Sequence, residues 1–127
     1  MRALLDTNRL TDALRRERHL VKRIETAEQV WIPFVTIAEM KAGFLGGTQR
    51  AHNEELLRVF LRLPGLGVLY ADRETTEVYA RLFVQLKRAG TPIPTNDLWI
   101  AALAVQHELT VLTRDEHFAR LPQVVTE

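Results

Sequence analysis

Short apolar runs alternate with longer helical patterns along this chain of 127 residues. The strand candidates are Ala3–Leu5, Val30–Ile32, Val68–Tyr70, Thr110–Leu112 and the shorter Val124–Val125. The helix candidates between them are Leu10–Ile24, Thr36–Leu45, Ala51–Leu63, Arg73–Ala89 and Leu98–Glu108. Strands that alternate with helices pair in parallel beneath helices on both faces. We therefore predict an α/β fold of three layers, α/β/α, forming one domain over residues 1–127.

One helix candidate is apolar on nearly every side, from Leu98 to Val105. A helix of this kind is normally buried, so we predict that it lies inside the core. Two acids border it, because Asp97 precedes it and Asp115 follows the next apolar run. Charged groups are costly to place at the edge of a core, which makes both acids candidates for function.

The composition limits the chemistry that the chain can carry. It contains no cysteine, so disulfides and thiolate metal sites are excluded and any metal must be held by carboxylates, histidines or carbonyls. The histidines lack the spacing of metal ligands, and we predict that all four are surface residues: His19, His52, His107 and His117. The apolar stretch before Asp6 is too short for a signal peptide or membrane span, so we expect a cytoplasmic protein without membrane association.

Basic residues cluster in one segment although the net charge is only +1. Residues 13–23, ALRRERHLVKR, contain Arg15 and Arg16 and place five arginines and lysines against one acid. Such a run is often a solvated helix face. It is also consistent with a patch that binds phosphate groups, and the sequence leaves both interpretations open.

Two acids in the first third of the chain each have a local explanation. Asp6, in LLDTN, follows the first strand and is of a type that caps helices. Glu39 fits a capping box that begins at Thr36, in which the glutamate bonds back to the start of the helix. Both acids nevertheless lie near strand ends, where ligands bind in α/β folds.

The two later acids also have local explanations. Asp97 could be a first-turn carboxylate favoured by the helix dipole, next to a cap at Thr95 or Asn96. Asp115, after the fourth strand, could be an ordinary turn residue.

The arrangement of all four acids is harder to explain locally. A doubly wound fold gathers such positions along one edge of its sheet. Carboxylates crowded together repel one another unless a cation joins them. Oxygen ligands without cysteine favour Mg²⁺ or Mn²⁺, and hard divalent ions on carboxylates suggest hydrolysis of phosphodiester bonds.

With these acids in these motifs, the chain resembles PIN-domain ribonucleases, and specifically VapC-type toxins of type II toxin–antitoxin systems. The matching stretches cover essentially the whole chain in the family's order and spacing: LLDTN, IPFVTIAEMKAG, AGTPIPTNDLWIAALA and LTVLTRDEHFARLP. The resemblance implies a PIN-like fold with a five-stranded parallel sheet of order 3-2-1-4-5. Strands one and four would then be neighbours, with Asp6 and Asp115 beside the crevice between them.

The resemblance further implies a metal-dependent endoribonuclease that leaves a 5′-phosphate and a 3′-hydroxyl. The residues that match the family's acidic quartet are Asp6, Glu39, Asp97 and Asp115. Three of them, Asp6, Asp97 and Asp115, would hold one or two Mg²⁺ or Mn²⁺ ions that activate water. Glu39 would complete the shell or orient that water. The supporting residues would be Thr113 and Asn8.

Two basic residues near the motifs are open to several interpretations. Arg9 stands where the family usually has an apolar residue, and it could point outward, contact RNA or pair with an acid at the site. Lys41, two residues after Glu39, is either a solvated helix residue or a contact to phosphate.

The resemblance also implies partners. A VapB-type antitoxin would lay its C-terminal tail over the active-site groove, the RNA substrate would be a transfer or ribosomal RNA, and family members commonly form homodimers. Five large apolar residues are candidates for the core or for an interface, with the core favoured: Trp31, Phe34, Phe44, Leu45 and Trp99.

Two alternatives to a nuclease come from other functional classes. A phosphoacceptor receiver domain is also α/β and of similar length, but it has an acidic pair after strand one and a lysine late in the chain. Here strand one is followed by Asp6 alone, and no lysine follows Lys87. The second alternative is a PIN-fold binding module that acts through its antitoxin complex on DNA.

Overall fold

The computed structural model describes residues 1–127 and contains one five-stranded sheet whose strands all run parallel. The strands are β1 (Arg2–Leu5), β2 (Gln29–Pro33), β3 (Leu66–Leu69), β4 (Thr110–Leu112) and β5 (Val125–Thr126). Their order, β3-β2-β1-β4-β5, confirms the α/β fold and the order that the resemblance implies. Receiver domains have the order 2-1-3-4-5, so the receiver alternative is wrong.

Six α-helices and one short 3₁₀ helix connect the strands. They are α1 (Thr7–Leu14), α2 (Arg18–Thr26), α3 (Phe34–Gly46), α4 (Arg50–Phe60), α5 (Arg73–Ala89), α6 (Thr95–His107) and the 3₁₀ helix Glu116–Arg120. Asp72 caps α5 in a capping box, and Gly90 ends it in the left-handed conformation at φ 69°, as predicted. None of the helices is both long enough and apolar enough to span a bilayer.

The helix predicted over Leu10–Ile24 is wrong, because two helices occupy this segment. Arg16 adopts a left-handed φ of 59°, which ends the first helix, and the Glu17 side chain accepts hydrogen bonds from the backbone N–H groups of His19 and Leu20 at the start of α2. The hydrophobic pattern continues across this break, so it does not reveal the break. The basic run 13–23 is therefore divided between two helices and their link.

The sheet separates two apolar cores, which gives the predicted three layers. One core lies beneath α5 and α6 and the other beneath α1, α2 and α4, while α3 contributes to both. Along β1, Leu4 enters the first core, and Ala3 and Leu5 enter the second. Helix α6 is buried along its length, as its composition predicts, and its buried residues are Leu98, Ile100, Ala101, Ala102, Leu103 and Ala104.

The five large apolar residues mostly belong to the core. Phe44 is buried, and Trp31, Phe34 and Trp99 are partly buried against the core beneath α5 and α6. Leu45 differs, since 61% of it is exposed.

Candidate metal centre

Asp6 is the first residue after β1, and the structure buries it almost completely, at 4% exposure. Its Oδ1 accepts a hydrogen bond from the backbone N–H of Thr7 at 2.7 Å and so caps α1. Its Oδ2 accepts one from the hydroxyl of Thr113 at 2.7 Å. Asp6 is therefore a helix cap, as one interpretation holds, and it also lies at the crevice between β1 and β4, where the other interpretation expects a site residue.

Asp97 and Asp115 meet at the side chain of His117. Asp97 lies in the first turn of α6, and its Oδ2 is 2.9 Å from Nδ1 of His117. Asp115 caps the 3₁₀ helix by accepting from the backbone N–H of His117 at 2.9 Å, and its Oδ1 is also 3.0 Å from Nδ1. One ligand atom from each of these three residues lies within 4.8 Å of the others.

His117 is accessible at the surface, as predicted, but the prediction that it lies outside any arrangement of metal ligands is wrong. Its ring lies between two acids of the quartet, although 37% of the side chain stays accessible. The only signal in the sequence is its position two residues after Asp115 in TRDEHF, which becomes informative once the 3₁₀ turn is known. His19 and His52 are exposed, and His107 is partly buried at the end of α6.

Glu39 lies in the second turn of α3 and is partly buried. The capping box predicted to begin at Thr36 is wrong, because α3 begins at Phe34 and no side chain caps it. The Thr36 hydroxyl instead donates to the carbonyl of Leu5 at 3.3 Å, which ties α3 to the end of β1. The local explanation for Glu39 therefore does not apply.

The predicted caps at Thr95 and Asn96 are also wrong. Helix α6 follows Pro94, which makes no side-chain capping bond, and Thr95 is already its first helical residue. A proline fixes an extended entry to the helix without a polar cap. Asp97 is thus the acid of the first turn, as expected.

Burial and mutual repulsion dominate the electrostatics of the acids. Burial raises the pKa of Asp6, Glu39 and Asp97 above their ordinary values. The charges of neighbouring acids raise them further: Asp115 acts on Asp6, Asp6 acts on Glu39, and both Asp6 and Asp115 act on Asp97. The hydrogen bond to Asp97 in turn raises the pKa of His117. The acids therefore form one centre that favours positive charge.

These residues fit a divalent cation. Carboxylate oxygens of Asp97 and Asp115 meet within 4.8 Å, and Asp6 lies outside this cluster but near enough for its charge to raise the pKa of Asp97. Hard cations prefer carboxylate donors. The hydroxyl of Thr7 is buried without a hydrogen-bond partner. The Thr7 hydroxyl lies close enough to Glu39 to lower the pKa of that acid, although burial keeps this pKa raised overall. The hydroxyl nevertheless makes no hydrogen bond of normal geometry. A hydrated cation would provide this hydroxyl with a partner.

Thr113 and Asn8, the residues predicted to support the site, both contact Asp6. The Thr113 hydroxyl accepts from the backbone N–H of Asp115 at 2.9 Å while donating to Asp6, so it joins two acids. The Asn8 side chain makes a long contact to Asp6, 3.5 Å from Nδ2 to Oδ2, and accepts from the backbone N–H of Arg114 at 3.2 Å.

The basic residues considered for RNA contact are not gathered at the centre. Arg9 pairs with Asp12 at 3.1 Å, and this acid is not one of the four, so the interpretation that Arg9 pairs with an acid at the site is wrong. Lys41 pairs with Glu54 at 2.9 Å. Arg15 and Arg16 are exposed in the link between α1 and α2.

A different arginine, which the sequence reasoning missed, lies beside the acids. Arg114 lines the groove next to Asp115 and His117 and pairs with Asp12 at 3.2 Å. Its place between Thr113 and Asp115 in the sequence is the signal that could have identified it.

The chain, with its sheet order β3-β2-β1-β4-β5, matches a known protein family. The family model of the PIN domain matches residues 3–124, and the chain belongs to this family. Ribonuclease VapC5 of Mycobacterium tuberculosis is 32% identical over 94 residues, which cover 74% of this chain and 70% of that protein.

Solved structures give the same result for the fold. The structure of VapBC2 from Rickettsia felis, bound to a DNA fragment from their promoter, contains a chain with TM-score 0.89 and 25% identity, covering 100% of this chain and 98% of that one. VapBC-5 from Mycobacterium tuberculosis, a member of the VapBC family of toxin–antitoxin systems, gives 0.70 and 27%, covering 100% and 97%. These likenesses confirm the resemblance to VapC-type PIN domains.

Proposed function

We propose that the chain is a metal-dependent endoribonuclease and the toxin of a toxin–antitoxin pair. The observation that carries this proposal is that Asp97 and Asp115 meet beside the buried Asp6 near the crevice between β1 and β4, where the strand order reverses, with burial raising the pKa of Asp6 and Asp97. Ligands of α/β folds bind at this point. The relative named Ribonuclease VapC5 supports RNA as the substrate.

In this proposal Asp6, Asp97 and Asp115 hold one or two divalent cations, Mg²⁺ or Mn²⁺. A bound cation supplies Lewis acidity, which activates water and neutralises charge on the leaving oxygen of a phosphodiester. Glu39 completes the shell or orients water from the side of α3. Thr113 fixes the relative positions of Asp6 and Asp115, since its hydroxyl bonds to both residues.

The groove beside the acids suits a nucleic acid strand. Asn8, Arg114 and Arg120 line it together with Asp115 and His117. Arginine side chains bind phosphate groups, so RNA in this groove would bring a phosphodiester near the acids. Contacts from Arg9, Arg15, Arg16 and Lys41 to a longer RNA remain part of the proposal.

The proposed partner is a VapB-type antitoxin that covers this groove. The likeness to VapBC-5, from a family of toxin–antitoxin systems, supports this partner. A basic group from the antitoxin would be attracted to the excess of carboxylates over basic side chains at the centre. A homodimer is also part of the proposal, and gel filtration with light scattering tests it.

The decisive experiment compares Asp97→Asn with the wild type on RNA in Mg²⁺. The variant keeps the size of the side chain and loses its charge, so we expect cleavage to fall at least about 100-fold. The matched control is Asp72→Asn, at the N-cap of α5 and in contact with Gln106 at the opposite end of α6 from Asp97. Asparagine caps a helix as well as aspartate does, so this variant should cleave as the wild type does. Cleavage by Asp97→Asn at the wild-type rate would show that Asp97 has no role in the metal site.

A second measurement separates the nuclease from a binding module. Calorimetric titration of the purified chain with Mg²⁺ should give saturable binding that Asp97→Asn loses. A module that works only through its antitoxin complex on DNA need not bind the cation. Absence of saturable binding, together with absence of cleavage, would favour that alternative.

A further inference from the structure

We infer that His117 is a ligand of the metal centre and that its nitrogen makes the centre prefer a first-row transition metal, such as Mn²⁺, to Mg²⁺. This inference deepens the proposed function, because it concerns the same site. The acids alone offer oxygen only, which does not discriminate strongly between these ions. The imidazole changes the donor set to one nitrogen with carboxylate oxygens from Asp97 and Asp115.

The distances at Nδ1 of His117 match those between neighbouring ligands of one ion. Octahedral ligands about 2.1 Å from a cation lie about 3.0 Å from each adjacent ligand. Nδ1 is 2.9 Å from Oδ2 of Asp97 and 3.0 Å from Oδ1 of Asp115. The same distances suit a hydrogen bond, so the test must detect coordination of nitrogen directly.

The surroundings hold the ring in this place. Asp115 accepts from the backbone N–H of His117 and so fixes the turn that carries the imidazole. The next residue, Phe118, is fully buried and anchors the 3₁₀ helix in the core. The backbone of His117 is thus held by Asp115 and by the buried Phe118, and the imidazole faces two acids while lining the groove.

Nitrogen donors favour transition metals. Imidazole is a common ligand of first-row transition ions, whereas Mg²⁺ binds through carboxylates, water and phosphate. We therefore expect the wild type to bind Mn²⁺ at least about 10-fold more tightly than Mg²⁺. Loss of the imidazole in His117→Gln should lower affinity for Mn²⁺ about 10-fold and change affinity for Mg²⁺ less than about 3-fold.

The test uses tag-free protein, with Mn²⁺ and Mg²⁺ alone as probes. Calorimetry gives both affinities, and electron spin echo modulation of bound Mn²⁺ reports directly on a coordinated ¹⁴N nucleus. The wild type should show nitrogen modulation, and His117→Gln should lose it. The matched control is His52→Gln, on the exposed side of α4, which should behave as the wild type.

A second variant keeps the test valid if His117→Gln folds poorly. Replacement of His19, His52 and His107 by glutamine leaves His117 as the sole histidine, and nitrogen modulation should persist. Its absence in the wild type, or its loss in this triple variant, would overturn the inference, as would unchanged Mn²⁺ affinity in folded His117→Gln. The proposed function fails on a different result, the retention of cleavage by Asp97→Asn.

Discussion

The hydroxyl of Thr113 donates a hydrogen bond to Oδ2 of Asp6 at 2.7 Å, across the neighbouring strands β1 and β4. The same hydroxyl oxygen accepts from the backbone N–H of Asp115 at 2.9 Å. A single small side chain therefore holds two acids from distant parts of the sequence in fixed positions. The Thr113 hydroxyl also replaces part of the hydration that the buried Asp6 carboxylate loses on folding.

Replacing Thr113 by valine should damage both stability and metal binding. The change keeps the shape and removes the hydroxyl, which leaves Oδ2 of Asp6 without its short hydrogen bond. We expect a loss of about 1–2 kcal/mol in the free energy of unfolding and about 10-fold in affinity for the cation. Urea unfolding and calorimetry measure the two effects. Thr113→Ser should retain most of both, and equal losses in serine and valine variants would contradict this role.

Divalent cation should stabilise the fold, and Asp97→Asn should abolish this response. A ligand at 100 times its dissociation constant adds about 2.7 kcal/mol, which raises the melting temperature by several degrees. Without cation, the same variant should melt at the wild-type temperature or slightly above it, because it removes a charge that burial and neighbouring acids disfavour. Thermal melts with EDTA and with Mg²⁺ or Mn²⁺ check both results.

The cation-free protein should become more stable as the pH falls from about 8 to about 5. Asp6, Glu39 and Asp97 have raised pKa values, so in the folded chain they keep protons at a pH where the unfolded chain has released them. The free energy of unfolding therefore falls as these acids ionise with rising pH. The raised pKa of His117 acts in the same direction, since its contribution is complete below its ordinary value of about 6.5 and is lost as pH rises through the folded value.

Melting temperatures across this range in EDTA measure the trend. Saturating cation should weaken or reverse it, because the cation competes with protons for the same acids. The trend should end near pH 4, about the ordinary pKa of exposed acids. Glu17, Asp72 and Glu127 have lowered pKa values, so their contribution to folding stability is lost when they are protonated. A melting temperature in EDTA that is higher at pH 8 than at pH 5 would contradict the prediction.

Arg9 and Arg114 should separate stability from RNA binding, although both pair with Asp12. Arg9 is partly buried, at 26% exposure of its side chain, so Arg9→Ala should lower the free energy of unfolding by about 1 kcal/mol. Arg114 is 58% exposed at the groove, so Arg114→Ala should weaken RNA binding and change stability by less than about 0.5 kcal/mol.

Fluorescence polarisation with labelled RNA, in an Asp97→Asn background to prevent cleavage, measures the binding effect. Arg73→Ala is the matched control, because Arg73 is an exposed arginine at the start of α5. It lies next to Asp72, which contacts Gln106 at the end of α6 opposite to Asp97, and so it is remote from the acids. A larger loss of RNA affinity from Arg9→Ala than from Arg114→Ala would reverse the assignment.

The parallel sheet and the elements around it were predictable because they depend on hydrophobic pattern. Helix α5 has the predicted bounds, Arg73–Ala89, since an aspartate cap and a C-terminal glycine mark both ends locally. The positions of Asp6 and Asp115 relative to the sheet followed from the motifs and the implied strand order. Their assignment as metal ligands remains a prediction that the variants above test.

Two of the errors concern polar groups whose partners lie far away in the sequence. Thr36 looked like a cap, but its hydroxyl bonds to Leu5, 31 residues earlier, and this tertiary contact overrides the local rule. His117 looked isolated because Asp97 is 20 residues away. Spacing rules describe ligands on one helix or one strand, and they do not describe a turn that faces the start of a separate helix.

The position of β1 at the centre of the sheet determines which parts of the molecule can unfold locally. Because β1 contributes side chains to both cores and pairs with strands on both sides, its amide hydrogens should exchange with solvent only through global unfolding. Asp6 directly follows this strand, and its own N–H donates to the carbonyl of Leu112 at 3.1 Å. The two-residue edge strand β5 should exchange much earlier. A protease could thus trim the edge of the sheet while Asp6 keeps its place at the end of β1, and removal of Asp6 from that place would require the fully unfolded chain.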